Sequence, residues 1–443
     1  MAISSLIMYF LIAHKEEMIS VLNAETWFII STLLAPIGFV LQDVVADALT
    51  VEAIPKTDEK GNEIDFKTLK SLNVVMQLLG RVSIISGTLI VSFINLIMFS
   101  DSSEMSDNEK IVTYGKIYLY SLIVPIISIM GVVFSYISSK SRLNKLIKNG
   151  LTFEKAINLI YPVLKASKPN KSIITGSIIF VIFTLSIGIS KIPFSQEIVF
   201  IGSFLIIVYL LIILSNQLDA VSKRMLIGTA IIIFVFRAMP GVGQGASWFE
   251  IDVLKFDQEF LSLLGLIASI LTIVGIFVLR PLMENASMSK LIIILSIAGS
   301  IFLLPSLAMF YGIHEITSKI TNGIVDARFI AIFNTALESP LGQVSMIPIL
   351  AWIAQSAPSH LKATFFAVLA SFTNLALSAS NLGTKYLNHI FVVTREVKSK
   401  TGEITTQADY SELGILLLTV LLLTLTLPIL ATILIRKLKL IAY

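Results

Sequence analysis

The chain has 443 residues, of which 55% are hydrophobic and 14% charged, and it carries a formal net charge of +4 and no cysteine. Because soluble domains carry about 25% charged residues, this composition excludes an ordinary soluble protein. The lack of cysteine excludes disulfides and thiolate metal sites, and the four histidines are too scattered to build a metal site.

Apolar runs of about 20 residues recur along the chain, and each can cross a hydrocarbon core of about 30 Å. Backbone groups in lipid must pair within their own segment, so these runs are predicted to be helices. Residues 1–13 reach only about 20 Å and are interpreted as the end of a helix whose beginning is missing. Eleven full spans follow, at residues 26–54, 69–99, 112–138, 172–190, 197–215, 225–248, 259–280, 290–311, 327–356, 361–385 and 411–435. The predicted fold is an all-α integral membrane bundle of these spans plus the partial one.

Lysines and arginines are distributed unequally between alternate loops. Twenty of the 33 fall in the set that includes loop 139–171 and the tail after residue 435, and eight fall in the other set. Since cytoplasmic loops carry the excess of basic residues, loop 139–171 and the C-terminus are predicted to be cytoplasmic, in a cell inner (plasma) membrane. The excess of basic residues is thus explained by the orientation of the chain in the membrane. Binding to nucleic acid is the disfavoured alternative.

Loop 139–171 is the longest connection between spans, and it holds eight basic residues and one acid, Glu154. The spacing of its apolar residues, among them Leu151, Phe153, Ile157 and Ile160, predicts a surface amphipathic helix. A basic cytoplasmic linker near the middle of the chain suits a bundle of two halves. A helix that binds lipid or a partner protein is the alternative.

Two aspartates, Asp43 and Asp47, interrupt an apolar span in the stretch FVLQDVVADALTVEAIP. Being four residues apart, they lie on nearly the same helix face. Each would cost roughly 2.5–3.5 kcal/mol if it faced lipid at mid-span, so both are expected to face the bundle interior or a water-filled cavity. Two interpretations stay open: ion pairs that clamp helices together, with Arg81 on the next span as partner, or a substrate or proton site.

Arg237 precedes Pro240 and three glycines in FVFRAMPGVGQGASWFE, inside span 225–248. The glycines resemble a phosphate-binding loop, but no strand is predicted before them, so nucleotide binding is disfavoured. Proline and glycines in a membrane helix instead predict a kink or a break, and broken helices expose backbone groups to solutes in transporters. The Arg237 guanidinium next to that break could bind a carboxylate through two hydrogen bonds.

Glu338 gives span 327–356 a further charge, with Asn334 one turn before it and Pro340, Gln343 and Pro348 after it. This span is also predicted to be kinked and polar. The next span is rich in alanine, serine, asparagine and glycine, which favours close helix packing. Its Asn374 and Asn381 lie seven residues apart on one face, and lining of a pore is the alternative interpretation.

The sequence contains no nucleophile–base pair, histidine cluster, metal-ligand spacing or cofactor motif that an intramembrane enzyme would need. Its buried polar groups are acids, arginines and amides on separate helices. That distribution favours a pathway for a solute over a reaction centre.

Three stretches resemble the folate-biopterin transporter family of the major facilitator superfamily: QDVVADALTVE, PGVGQGASWFEID, and the run from LGQVSMIPILAW to NLGTKYLN. The resemblance covers about residues 26–435, and the last run is its most specific part. It implies a two-lobed bundle whose central cavity is lined by the first and fourth helices of each half. Spans 26–54, 225–248 and 327–356 would then be cavity helices and carry Asp43, Asp47, Arg237 and Glu338.

The resemblance also implies a division of the chain into four parts. Residues 1–138 would be a truncated N-terminal lobe that lacks the family's first two helices and most of the third. Residues 139–171 would be a basic cytoplasmic linker, 172–215 an extra helix pair and 216–443 a six-helix lobe. The function it implies is secondary active transport of folate or pterin-type anions by alternating access, coupled to protons. A muropeptide or other organic-anion permease, a non-transporting truncated relic and a membrane enzyme are the alternatives, in that order.

Overall fold

The computed structural model describes residues 1–52, 64–98, 106–148, 150, 152–160, 171–190, 192–216, 218–356, 362–398 and 404–440. These residues form two compact units. The first unit comprises Met1–Ala46 and Asn95–Ile182, and the second comprises Asp47–Ile94 and Phe183–Tyr443.

Almost all regular structure in the described residues is helical. In chain order the helices and the two short strands are α1 Ala2–Ala13, α2 Lys15–Val21, α3 Ala24–Glu52, α4 Phe66–Met98, α5 Asp107–Tyr120, α6 Ile123–Lys148, α7 Phe153–Ile160, α8 Lys171–Ile189, α9 Ser195–Ser215, α10 Ala220–Arg237, α11 Gln244–Asp252, α12 Gln258–Val278, α13 Arg280–Asn285, α14 Met288–Phe310, α15 Ile313–Ile320, α16 Ala327–Glu338, α17 Met346–Ser356, α18 Lys362–Ile390, β1 Val397–Lys398, β2 Ile404–Thr406 and α19 Leu413–Lys437. The strands pair antiparallel in a loop where the sequence predicted no regular structure.

Eight stretches of the described helices are long and apolar enough to cross a membrane by length and composition. They coincide with eight of the predicted spans, which confirms an all-α membrane helix bundle. The other three predicted spans contain shorter helices. Span 172–190 has an apolar stretch of only Ile174–Gly188, and spans 225–248 and 327–356 are each divided in two. The total of eleven stays a prediction, as does the division into lobes.

The first unit is joined by small hydroxyl side chains, which let helices approach closely while pairing their polar groups. Ser4 of α1 and Ser31 of α3 are both buried, and each donates to the other's backbone carbonyl. Ser121, between α5 and α6, donates to Ser5 Oγ at 2.7 Å. Along α3, Gln42 Nε2 donates to Ser128 Oγ of α6 at 3.0 Å.

The helix predicted within loop 139–171 is present as α7, which packs against α6 and contains the fully buried Ala156. Leu151, part of the predicted apolar face, lies outside the described residues. Helix α6 continues ten residues past the predicted span, to Lys148. Lys145 and Lys148 stand in its last turn, where cations are favoured by the helix dipole.

Helix starts in the second unit are set by capping side chains, which accept hydrogen bonds from otherwise unpaired backbone amides. Asp219 caps α10, Asp257 caps α12, Ser287 caps α14 and Asp326 caps α16. Each of these residues directly precedes its helix in the sequence. The caps therefore fix where each helix begins.

Helix α4 belongs to the second unit, and both apolar and polar contacts hold it there. Val74 and Leu78 are buried in a cluster with Ile276 of α12 and Ile347 of α17. At the start of α4, Ser71 Oγ donates to Glu284 Oε1 at 3.0 Å and Lys70 Nζ donates to the Ala286 carbonyl at 3.2 Å. Glu284 also pairs with Arg280 at 2.7 Å.

A close approach of two backbones positions the middle of span 327–356. Gly275 of α12 faces Pro340, and a Cβ at Gly275 would overlap the Pro340 backbone. Beside this contact, Thr272 Oγ1 donates to the Ser339 carbonyl at 3.0 Å. Only glycine leaves room for the chain at this point.

We expect Gly275→Ala to destabilise the protein by about 1–3 kcal/mol, because overpacking forces the backbone at Pro340 to move. The measurement is the thermal stability of the purified protein in detergent. Gly265→Ala in the same helix is the control, since a Cβ at Gly265 has no atom within 4 Å. Equal stability of the two variants would show that Pro340 can shift at no cost.

Candidate functional site

The first predicted break is present and separates α10 from α11. Helix α10 ends at Arg237 and α11 begins at Gln244. Gly243 has φ = +82°, a left-handed backbone conformation that glycine adopts without strain. The proline and glycines of PGVGQG therefore interrupt the helix, as the sequence predicted.

The backbone of this break is paired by three polar side chains of α18, spaced one turn apart. The bonds are Ser380 Oγ to the Met239 carbonyl (2.6 Å), the Gly241 amide to Thr384 Oγ1 (2.8 Å) and Asn388 Nδ2 to the Val242 carbonyl (3.1 Å). Irregular backbone is tolerated at membrane depth only where protein or a water-filled cavity surrounds it. Ser380, Thr384 and Asn388 of α18 thus pair with the backbone of the break, in addition to the close helix packing that the sequence predicted.

Removal of one of these bonds is expected to lower stability. We expect Ser380→Ala to cost about 0.5–1.5 kcal/mol, because the half-buried Met239 carbonyl loses its donor. Thermal unfolding of the purified protein in detergent measures the loss. Ser371→Ala in the same helix is the matched control, since Ser371 Oγ bonds only the Ala367 carbonyl of its own helix. If both variants unfold at the temperature of the original protein, α18 does not support the break.

A second break divides span 327–356, for which the sequence predicted a kink. Helix α16 ends at Glu338, a single turn of 3-10 helix covers Ser339–Leu341, and α17 begins at Met346. Pro340 cannot donate a backbone hydrogen bond, which explains why the regular helix stops there. Gln343 lies in the interrupted stretch, and its buried Oε1 has no hydrogen-bond partner among the described residues.

Arg237 connects the two breaks. It is the last residue of α10, and its Nη1 lies 2.7 Å from the sulfur of Met346, the first residue of α17. A thioether is a weak acceptor, and the buried Nε of Arg237 has no partner in the described part of the chain. The guanidinium therefore keeps donor capacity for a stronger acceptor, such as a carboxylate.

Arg81 is near this point as well. Its charge acts on Arg237 within the second unit, so two guanidinium groups share one region. The same helix face carries the buried Gln77 and Asn73, one and two turns earlier. Like charges repel, so the charge of Arg81 disfavours the charged form of Arg237 unless an opposite charge lies nearby.

The other predicted site residues are placed as follows. Asp43 is exposed on α3, and the side chain of Asp47 lies outside the described residues. On α16, Asn334 is half-buried and Glu338 exposed, and Asn374 is exposed on α18. The structure thus brings Arg237 and Arg81 together, with Gln343 one turn before the residue that Arg237 contacts. The pairing of Arg81 with Asp43 or Asp47 stays a prediction.

A cavity of about 1010 Å³ opens between the start of α9, the first break and the end of α18. It contains an ion pair that the sequence analysis missed, in which Lys385 Nζ lies 2.7 Å from Glu197 Oε1. Both residues are charges at the ends of apolar spans, which is the signal that could have identified them. Asn381, considered from sequence as a pore-lining residue, does line this cavity. Among the described residues no group of acids or histidines could hold a metal ion.

A clasp of charged groups joins the end of α11 to the loop before α19. Asp252 accepts hydrogen bonds from Arg395 Nε (2.9 Å) and Nη2 (2.7 Å) and from the Tyr410 hydroxyl (2.7 Å). The bond from Arg395 lowers the pKa of Asp252, while burial, with the bond to Asp252, raises the pKa of Tyr410 to about 12. Because the Asp252 pKa is depressed, the clasp contributes at neutral pH and is lost only as the pH falls through that pKa.

Comparison with known proteins assigns the family. The model of the BT1 family matches residues 1–442. The chain belongs to the BT1 family. This confirms the family resemblance drawn from the sequence and, with the eight apolar stretches, makes the chain a multi-pass membrane protein.

Two curated proteins are similar to this BT1-family chain at low identity. The first is "Folate-biopterin transporter" of Synechocystis sp., 22% identical over 158 residues, which are 36% of this chain and 31% of that protein. The second is "Folate transporter 2" of Plasmodium falciparum, 23% identical over 171 residues, which are 39% of this chain and 36% of that protein. The chain therefore spans about a third of the length of the curated relatives it matches.

Proposed function

We propose that this BT1-family chain is a secondary active transporter of folate or pterin-type anions in the inner (plasma) membrane, coupled to protons by alternating access. The observation that carries the proposal is Arg237. Its guanidinium lies where two broken helices meet, with a thioether at Nη1 and no partner for Nε among the described residues. Broken helices at mid-membrane are where secondary transporters bind their substrates.

The charge of the site supports an anionic substrate. Arg237 has a thioether at Nη1 and no partner for Nε among the described residues, so its guanidinium would gain from a negative group placed beside it. Folate carries its negative charge on the carboxylates of its glutamate tail, and the planar guanidinium matches a carboxylate through two hydrogen bonds. The names of the two relatives agree with this substrate class.

Proton coupling is assigned to the aspartates of α3. Carboxylates within membrane spans serve as proton relays in transporters, so Asp43 or Asp47 would carry the proton that accompanies the substrate. In the same proposal a clamp between Asp47 and Arg81 would form and break during the cycle.

Uptake by cells that express the chain tests the substrate class. We expect accumulation of labelled folate above the level of cells without the protein, with unlabelled pterin and folate as competitors. A labelled muropeptide offered in parallel is the matched comparison. Uptake of the muropeptide without uptake of folate would replace the proposed substrate with that of the alternative permease.

The proposed topology gives a separate prediction. In this cysteine-free chain, Ser141→Cys and Gln407→Cys are expected to react with a membrane-impermeant thiol reagent from opposite faces of the membrane. Both side chains are exposed, and the loops that contain them differ in basic charge as the positive-inside rule requires. Labelling of intact and of opened cells is the measurement. Reaction of both cysteines in intact cells would contradict the topology.

A further inference from the structure

The cavity between α9, the first break and α18 differs from the Arg237 site in the charge that it presents to a ligand. Arg237 offers positive charge at the junction of the two breaks. The cavity instead contains Glu197 and Lys385 as an ion pair, so its two opposite charges cancel. A neutral polar ligand therefore suits the cavity better than a free anion or cation does.

Glu197 is the centre of this arrangement. Its Oε1 accepts hydrogen bonds from Lys385 Nζ at 2.7 Å and from the Tyr386 hydroxyl at 2.8 Å. Its Oε2 is buried and has no hydrogen-bond partner among the residues that the structure describes. A buried carboxylate oxygen without a donor is costly, so Oε2 is a prepared acceptor for an N–H group of a ligand.

Asn388 adds a second acceptor to the cavity wall. Its Nδ2 donates both of its hydrogens, to the carbonyls of Val242 and Thr384. Any contact of Asn388 with a ligand must therefore go through Oδ1, which accepts. The cavity thus presents a carboxylate oxygen and an amide oxygen to the donors of a ligand.

Aromatic side chains give the cavity flat apolar surfaces. Phe200 lines it from α9, and Phe194 lines it from the residue before that helix. Phe194 is 68% exposed and has φ = +61°, a left-handed conformation that is strained for a bulky residue. Backbone strain of this kind costs about 1–3 kcal/mol and clusters at binding sites. A flat ring could stack on these side chains.

We propose that this cavity is a second binding site that takes the neutral, planar head of a pterin-type substrate. Its N–H donors would meet Glu197 Oε2 and the Asn388 amide oxygen, and its ring would lie against Phe194 and Phe200. The inference rests on the proposed function for the identity of the substrate. The volume of about 1010 Å³ is at the upper end of the range of small-molecule pockets, about 300–1,000 Å³.

The position of the cavity gives the site a role distinct from that of Arg237. The cavity lies at the start of α9 and the end of α18, which the topology predicted from basic residues places on the non-cytoplasmic side. Substrate from outside the cell would meet it before Arg237. The pterin ring would bind in the cavity, and the anionic glutamate tail would bind the Arg237 guanidinium.

Equilibrium binding to the purified full-length chain in lipid nanodiscs tests this inference, with labelled biopterin as the tail-less probe and labelled folate in parallel. We expect Glu197→Gln to weaken biopterin binding at least tenfold, because the amide removes the charge and one acceptor. Since that change also leaves Lys385 without its partner, Ser378→Phe serves as a second variant. It fills the cavity without altering the ion pair.

Ser371→Phe is the matched control for the filled cavity, since Ser371 is exposed on the same helix and does not line the cavity. We expect it to bind biopterin like the original protein. Biopterin affinity within twofold of the original in folded Ser378→Phe would overturn the second site while leaving folate transport intact. Failure of the unmodified chain to bind either ligand would overturn the proposed function and this inference with it.

Discussion

Arg237→Lys is expected to weaken folate binding by about tenfold to hundredfold and to leave the binding of a tail-less pterin nearly unchanged. Lysine keeps the positive charge but loses the planar pair of donors that holds a carboxylate. A hydrogen bond to a charged group contributes about 1.5–3 kcal/mol, which corresponds to this change in affinity. Equilibrium binding of labelled folate and labelled biopterin to the purified protein measures it.

Arg224→Lys is the control for this variant, because Arg224 is exposed near the other end of the same helix, α10. We expect it to bind both ligands normally. Equal weakening of folate and biopterin by Arg237→Lys would show that Arg237 shapes the two breaks and does not contact the tail. Unchanged affinity for both ligands would remove Arg237 from the site.

Asp47→Asn is expected to abolish the accumulation of folate that a pH gradient drives while leaving folate exchange across the membrane measurable. Exchange needs no net movement of protons, so it survives the loss of a proton-binding group. Uptake and exchange in membrane vesicles measure the two activities. Asp409→Asn, at an exposed position in the loop before α19, is the control and should change neither.

A purely structural clamp between Asp47 and Arg81, without a proton-binding role, gives a different result. Removal of one partner of a buried ion pair costs about 3–5 kcal/mol, whereas removal of both charges can be nearly neutral. A clamp would therefore lower the abundance of Asp47→Asn, and adding Arg81→Gln would partly restore it. Normal abundance together with unchanged pH-driven uptake would contradict both roles for Asp47.

The two breaks were predictable because their causes are local. Pro240 and the glycines after it stop α10, and Pro340 stops the regular helix after Glu338. The charge next to the first break, Arg237, stood out because intramembrane charges are rare. Features of this kind depend on residues that are adjacent in the sequence, so they can be predicted without knowledge of the fold.

The partners of the first break and the cavity were not predictable in the same way. Ser380 lies 141 residues from the Met239 carbonyl that it pairs, and Lys385 lies 188 residues from Glu197. Serine, asparagine and glycine in α18 fit close packing equally well, so the sequence could not show what they pair. The thioether contact of Arg237 likewise depends on how α17 packs, because Met346 reads as an ordinary apolar residue.

The central claim is that this chain moves folate across a membrane with protons. The most direct measurement is uptake of labelled folate by liposomes that contain the purified protein, with and without an imposed pH gradient. The proposal predicts that folate accumulates when the gradient is imposed and only equilibrates without it. Folate uptake that is the same in liposomes with and without the protein, under either condition, would contradict it.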